Sequence, residues 1–260
     1  MSIVRDKIYK SEALRAVAKA GKILREEFPK KKKISIKKDF SVVTTADLKA
    51  DRIIRNIIAA NFPSHHILSE ESGGEVRDGY TWVVDPLDGT SNFVRGIPIF
   101  SVSLALLYQE KPILAAVCNP ILNELYVAEK GKGATLNGKP IRVNKTKNPR
   151  EAVILFNKGR GIKNFIAWAS LLRKVGRNIK SMRAFGSSNL EICKVASGNF
   201  EGYINFGSSP WDLIPGSFIV EEAKGKTTDI RGGAFRIAAK SLFASNGYIH
   251  KAVLDLINKK

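Results

Sequence analysis

Apolar residues recur along this chain with two different periods, and the change of period divides it. From residue 2 to 28 they fall at Ile3, Ile8, Leu14, Val17, Ile23, Leu24 and Phe28, close to the repeat of a helix. A second helix is expected from Ala46 to Phe62. Thr44 or Thr45 can cap it, Asp47 sits in its first turn where the dipole favours an anion, and Pro63 closes it. Short strands follow at HHILSE (65–70) and TWVVD (81–85). The stretch 100–136 reads as antiparallel strands, FSVSLALLY, KPILAAVCNP and ELYVAEKG, with turns at Gln109-Glu110 and Asn119-Pro120. Asn137-Gly138 is a strong hairpin signal.

The second part alternates strand with helix. AVILFN (152–157), MRAF (182–185) and FEGYINF (200–206) read as strands. Between and after them come helices at NFIAWASLLRKV (164–175), SNLEICKVAS (188–197, capped by Ser187 or Ser188) and WDLIPGSFIVEEAKG (211–225, stopped by Gly225). A hairpin-like region and a closing helix over about 247–258 end the chain. The expected organisation is an α+β half over 1–142 and an α/β half over 143–260, divided within RVNKTKNPRE. No internal repeat is evident.

Composition is that of a globular protein, 44% hydrophobic and 26% charged. The longest apolar runs, such as VSLALLY (102–108), are too short to cross a bilayer, and the charged N-terminus lacks a signal-peptide core. A cytoplasmic location and no membrane partner are therefore expected. Cys118 and Cys193 lie far apart in apolar contexts and read as buried thiols. Charge changes the picture more: 43 Lys and Arg against 24 Asp and Glu give a net +19. Such a surface attracts polyanions and speeds capture of small phosphorylated metabolites. The densest run, PKKKKISIKK (29–38), has no interleaved aromatics and reads as a solvated connection. Charge alone gives only salt-sensitive, non-specific attraction, so dedicated nucleic-acid binding is not expected.

Acidic residues end four regular elements: Asp47 in TTAD, Glu70 in SEES, Asp85 and Asp88 in DPLDGT, and Asp212 in PWD. Singly, Asp47 and Asp212 are ordinary first-turn helix residues and Glu70 a loop acid. WVVDPLDGTSNF (82–93) resists the ordinary reading, because Trp-Val-Val carries the first carboxylate to the edge of a core. A helical turn entered at Pro86 would bring Asp88 round to the side of Asp85, with the Leu87 carbonyl turned the same way. Two carboxylates and a carbonyl are hard oxygen ligands for magnesium or manganese. Gly89 allows close backbone approach, and Thr90 offers a hydroxyl and an N–H to an oxyanion. His65, His66 and His250 show no ligand or triad spacing, the last on a surface-like helix, and no dinucleotide fingerprint is present. DPLDGT is not the DxDGT signature of haloacid-dehalogenase-type phosphatases, whose acids stand two apart.

These stretches, in the order TTAD, SEES, DPLDGT, GKGA (131–134), RAFGSSNLE (183–191) and PWDLIPG (210–216), closely resemble the inositol monophosphatase family across nearly the full chain. The resemblance implies a magnesium-dependent, lithium-sensitive phosphatase with a sugar-phosphatase fold, a layered αβαβα sandwich. The basic, compact form is similar to archaeal members that hydrolyse both inositol monophosphate and fructose 1,6-bisphosphate. The resemblance implies a homodimer, to which the long apolar strands of 100–128 could contribute. By the same resemblance Glu70, Asp85 and the Leu87 carbonyl would hold one Mg²⁺, and Asp85, Asp88 and Asp212 a second; Glu70 would also serve a weaker third, and Mn²⁺ could substitute. Thr90, oriented by Asp47, would act with Glu70 to activate the attacking water, while the Gly89 and Thr90 N–H groups bind phosphate. Asp88, Asp212, Arg183, Ser188 and Asn205 would complete the substrate site. Ser69 replaces a glycine common in the family, with little effect expected. Asn205 stands where animal members place a glutamate, which with Arg183 favours a substrate carrying a second phosphate. Rival readings are a nucleotide 3′-phosphatase on the same metal core and a basic RNA-binding protein retaining the fold.

Overall fold

The first helix, α1 (Ile3–Glu27), buries a stripe of Tyr9, Ala13, Ala16, Val17, Ala20 and Leu24. Ile8, apolar in the sequence pattern, is 46% exposed, so small residues carry much of the contact. A computed structural model describes residues 3–36, 42–159 and 161–259. Lys37 and Lys38, at the end of the basic run, lie outside them. Within that run β1 (Ile34–Ile36), exposed throughout, pairs antiparallel with β2 (Val42–Thr44), so part of the segment expected as a plain connection is strand. Helix α2 (Thr45–Asn61) packs on α1, and Thr44 is its cap.

Next come β3 (His66–Ser69), β4 (Tyr80–Asp88), the short α3 (Thr90–Val94), β5 (Ser101–Tyr108), β6 (Lys111–Asn119), β7 (Glu124–Glu129), β8 (Gly133–Leu136) and β9 (Lys139–Ile141). The strands form one seven-stranded sheet in chain order, parallel only at β3–β4. Positive φ at Gln109 and Glu110, and at Asn137 and Gly138, closes the hairpins where the sequence placed turns.

Side-chain alternation decides the layering. Trp82, Val84, Val102, Leu104, Leu106, Leu114 and Ala116 join the core under α1 and α2. Val83, Ala105, Leu107, Ala115 and Val117 point the other way, into a core shared with later residues such as Leu190, Ile192, Leu213 and Phe218. Each large side chain so buried contributes about 1.5–3 kcal/mol. Both faces of these strands are thus covered within the chain, and Tyr108 and Leu122 are the exposed large apolar residues of 100–128.

The remaining elements are β10 (Val153–Asn157), α4 (Ile162–Val175), β11 (Ser181–Arg183), α5 (Ser188–Ala196), β12 (Gly202–Asn205), α6 (Pro210–Glu222), β13 (Lys226–Thr228), β14 (Leu242–Ser245) and α7 (His250–Asn258). A five-stranded sheet runs β11-β10-β12-β14-β13, parallel among the first three. Helices α5 and α6 lie between the two sheets, and α4 and α7 cover the outer face of the second. The order is αβαβα, as the resemblance implied. Helix α6 ends at Glu222, three residues before the expected Gly225 stop, where Lys224 turns left-handed at φ 70°. No helix among the described residues is long and apolar enough to cross a membrane.

Candidate active site

A β-bulge sets the first two carboxylates. On β4 Asp85 pairs with Ser103 and Asp88 with Ser101, so three steps on one strand oppose two on its neighbour. In an unbroken strand residues three apart point to opposite faces; the extra residue returns Asp88 to the side of Asp85. The sequence reading required a helical turn here, and the chain instead stays in the sheet, with Pro86 at the irregularity where a missing N–H is tolerated. Gly89 then turns left-handed at φ +94° and opens α3. A Cβ there would stand 3.1 Å from the carbonyls of Gly186 and Ile99 and 3.2 Å from Ser187 Cβ.

The Thr90 hydroxyl lies 3.0 Å from the Leu87 carbonyl and 3.2 Å from Asp47 Oδ1. Asp47 is held by the capping box of α2, accepting from the Thr44 N–H at 2.9 Å and hydroxyl at 2.5 Å. Glu70 follows β3, where Ser69 is fully buried and donates to Asp51 Oδ1 at 2.5 Å. That bond ties the residue before Glu70 to α2. Asp88 faces the N-terminus of α5. Its Oδ2 accepts from Ser187 Oγ (2.7 Å), the Asn189 N–H (2.8 Å) and Ser101 Oγ (3.3 Å), and its Oδ1 from the Ser188 N–H (2.9 Å). On α6, Asp212 Oδ2 accepts from the Ser209 N–H at 2.8 Å.

Asp85, Asp88 and Asp212 each bring one carboxylate oxygen within 4.8 Å of the others. They are the three side chains assigned by resemblance to the second ion; Glu70 lines the same cleft. Asp85 is wholly buried, and its Oδ2 has no hydrogen-bond partner. Burial above all, then the charges of Glu70, Asp88 and Asp212, holds its carboxyl well above the usual range. Burial also pushes Asp88 up to about 6 against its four hydrogen bonds, and Asp47 up to about 6 against its bonds from Thr44. Crowded acids, an orphaned oxygen and an all-oxygen donor set fit a divalent cation of the magnesium or manganese kind. Asp85, Asp88, Asp212, Glu70 and the Leu87 carbonyl are the groups available to hold it.

The cleft has a volume of about 720 Å³. Glu70, Asp85, Leu87, Asp88, Gly89, Thr90, Ser188 and Asp212 line it, with Asp47 behind Thr90. Arg183 and Asn205 are not in its wall. Arg183 is exposed and donates to the Met182 carbonyl. Asn205 is buried with its amide spent inside the protein: Nδ2 donates to Tyr203 Oη and Ser208 Oγ, and Oδ1 accepts from the Gly207 N–H. Its position on a strand near PWD carried the expectation, but the side chain points into the packing.

Lys158, Asn164, Ser208, Ser209 and Lys240 stand in the cleft instead. No carboxylate among the described residues forms an ion pair with Lys158 or Lys240. Lys158 follows directly on β10, whose carboxyl end lies beside that of parallel β12, the customary ligand position in such sheets; that was the available signal. Lys240 sits in an irregular segment and offered none. The histidines take no part. His65 Nδ1 accepts from Trp82 Nε1 at 3.1 Å. His250, expected on a surface, is buried between Ser245 Oγ (2.7 Å) and Thr228 Oγ1 (3.0 Å).

An acidic floor that demands a cation, facing amines that attract an anion, is the equipment of a metal-dependent hydrolase of phosphate esters. The chain belongs to the inositol monophosphatase family, whose model matches residues 7–260. It is 38% identical over 257 residues to inositol monophosphatase 2 of Solanum lycopersicum, covering 95% of this chain and 97% of that protein. It is 34% identical to the fructose-1,6-bisphosphatase/inositol-1-monophosphatase of Aquifex aeolicus strain VF5, covering 97% and 96%. Among solved structures, the extragenic suppressor protein suhB of Bartonella henselae superposes with a TM-score of 0.92 at 32% identity, covering 97% of this chain and 99% of that one. The protein is accordingly a phosphoric monoester hydrolase of a metal-dependent family.

Proposed function

We propose that this enzyme uses Mg²⁺ to hydrolyse small phosphorylated polyols, inositol 1-phosphate and fructose 1,6-bisphosphate among them, by direct attack of water without a phosphoenzyme. The orphaned buried Oδ2 of Asp85 among three further acids carries the reading. Bound there, the ion supplies Lewis-acid stabilisation of phosphoryl oxygens and lowers the pKa of water. The chain's own groups do the rest. Thr90, its hydroxyl shared between Asp47 and the Leu87 carbonyl, is set to accept or pass a proton with Glu70. The Gly89 and Thr90 N–H groups bind the phosphate, and Ser188 and Asp212 contact the alcohol.

Lys158 and Lys240 take over the part given to Arg183 and Asn205 in the sequence reading. Two amines in the same cleft as the acids, neither held in an ion pair among the described residues, suit a second anionic group on the substrate, which favours a bisphosphate. We also infer a cytoplasmic homodimer from the family resemblance, checked by light scattering. The deciding experiment is phosphate release from inositol 1-phosphate, fructose 1,6-bisphosphate and adenosine 3′,5′-bisphosphate, with and without Mg²⁺. Magnesium-dependent release from the first two is expected. Release from the nucleotide alone makes the protein a nucleotidase, and release from the inositol ester without the sugar bisphosphate ends the bisphosphate reading.

A further inference from the structure

Helix α6 carries Asp212 and, three residues later, a proline inside the helix. Pro215 has no N–H, so the carbonyl four residues earlier loses its helical partner and is pressed outward by the ring. That carbonyl belongs to Trp211, the neighbour of Asp212. Asn189 fills the gap from α5. Its Nδ2 donates to the Trp211 carbonyl at 2.8 Å and to Ser103 Oγ at 2.9 Å, while its Oδ1 accepts from the Gly216 N–H at 3.0 Å. The same residue's main-chain N–H donates to Asp88 Oδ2 at 2.8 Å. Asn189 is fully buried, and all its side-chain polar atoms are engaged within the protein, so it does not reach substrate. The helices meet closely here: a Cβ on Gly216 would stand 2.8 Å from Ile192 Cβ.

We propose that Asn189 is a positioning residue that fixes the separation of Asp88 and Asp212, replacing the hydrogen bond that Pro215 removes from α6, and thereby sets affinity for the divalent cation. One residue touches the β4 ligand through its backbone and the α6 ligand's turn through its side chain, with β5 as the third anchor. Pro215 and Asn189 are then a matched pair. The proline frees the Trp211 carbonyl to face α5, and the carboxamide returns both a donor to that carbonyl and an acceptor to the Gly216 N–H. A merely structural asparagine would matter for stability alone; a positioning one matters for the ion. The inference rests on the metal reading above.

The test is Mg²⁺ binding by calorimetry, without substrate, to the parent protein and to Asn189→Ala, Pro215→Ala and the double variant. Alanine at 189 keeps the N–H on Asp88 and deletes the side-chain bonds to α6 and to Ser103 on β5. Asn189→Ala should weaken Mg²⁺ binding about 10–100-fold, the usual scale for groups that orient metal ligands. Pro215→Ala restores the helical N–H to Trp211, so it should bind within a few-fold of the parent and recover most of the loss in the double variant. Unchanged affinity in Asn189→Ala overturns the inference, as does a double variant no better than the single one. Should Asn189→Ala not fold, the double variant must fold and bind Mg²⁺; failure in either respect overturns it equally. A parent protein that takes up no divalent ion sinks the metal reading itself, a separate result.

Discussion

Thr90 and Asp47, 43 residues apart in the chain, meet at 3.2 Å, and the bond crosses from the end of the large sheet to the first turn of α2. Thr90→Val keeps the shape and deletes the hydroxyl, so kcat should fall by about 100-fold or more. Mg²⁺ affinity should change little, because the threonine side chain is not a ligand. Steady-state kinetics beside calorimetry separates the two; a parallel fall in metal affinity would make Thr90 a metal ligand and overturn the proton role.

Asp85 stands at the centre of the acid cluster with one oxygen unpartnered. Asp85→Asn should cut turnover more than about 100-fold, beyond the effect of losing a group that only orients a ligand. In the metal-free state the variant should melt no lower than the parent, since the amide relieves crowding of like charges. Activity preserved in Asp85→Asn and in Asp212→Asn would remove the site assignment.

The pH response of the metal-free protein follows from two opposed sets of groups. Asp88 and Asp47 titrate near 6 when folded and near 3.8 when unfolded, so the unfolded chain loses its protons first and stability falls as pH rises through that window. Burial holds His65 and His250 down to about 4 from an ordinary 6.5, so the unfolded chain gains protons first and stability falls as pH drops through 6.5 towards 4. Mg²⁺ opposes only the first arm, and its stabilisation, read as a rise in Tm, should grow as pH passes 6. His250→Gln should flatten only the acid arm.

Gly89→Ala tests the backbone between the metal ligands and the catalytic threonine. At φ +94°, with three atoms about 3.1–3.2 Å from the new Cβ, the variant should lose roughly 1–3 kcal/mol of stability and most of its activity. Denaturant unfolding and phosphate release give the two numbers.

Lys158→Gln and Lys240→Gln distinguish the anionic substrates. Both amines are exposed, so screening limits each to a few-fold rise in KM for a bisphosphate. KM for inositol 1-phosphate should stay where it is. Equal effects on both substrates would make the lysines general attractors of anions.

What the sequence disclosed was local. TWVVD, DPLDGT and the alternation of 100–136 carry their own burial pattern, so the central strands of the large sheet and the Thr44 cap of α2 could be placed without coordinates. The bulge could not, because it is defined by the count of residues on β5 opposite Asp85 and Asp88. Asn205 was carried over by strand position, yet Tyr203 and Ser208 claim its amide, and a strand position does not report which neighbours a side chain meets. Lys240 comes from a segment whose own residues say nothing of the cleft. The role of Asn189 depends on a proline 26 positions downstream, a relation visible only once α5 and α6 lie side by side.

The placing of α5 and α6 between the sheets makes the molecule indivisible. Cleaving the link between Ile141 and Val153 would strip the first fragment of the helices that cover Val83, Ala105, Leu107, Ala115 and Val117. The second would keep those helices with their apolar backs turned to water. Neither piece should be soluble alone, while co-expressed halves should find each other and regain phosphatase activity together, which makes this linker a natural place to build a split reporter.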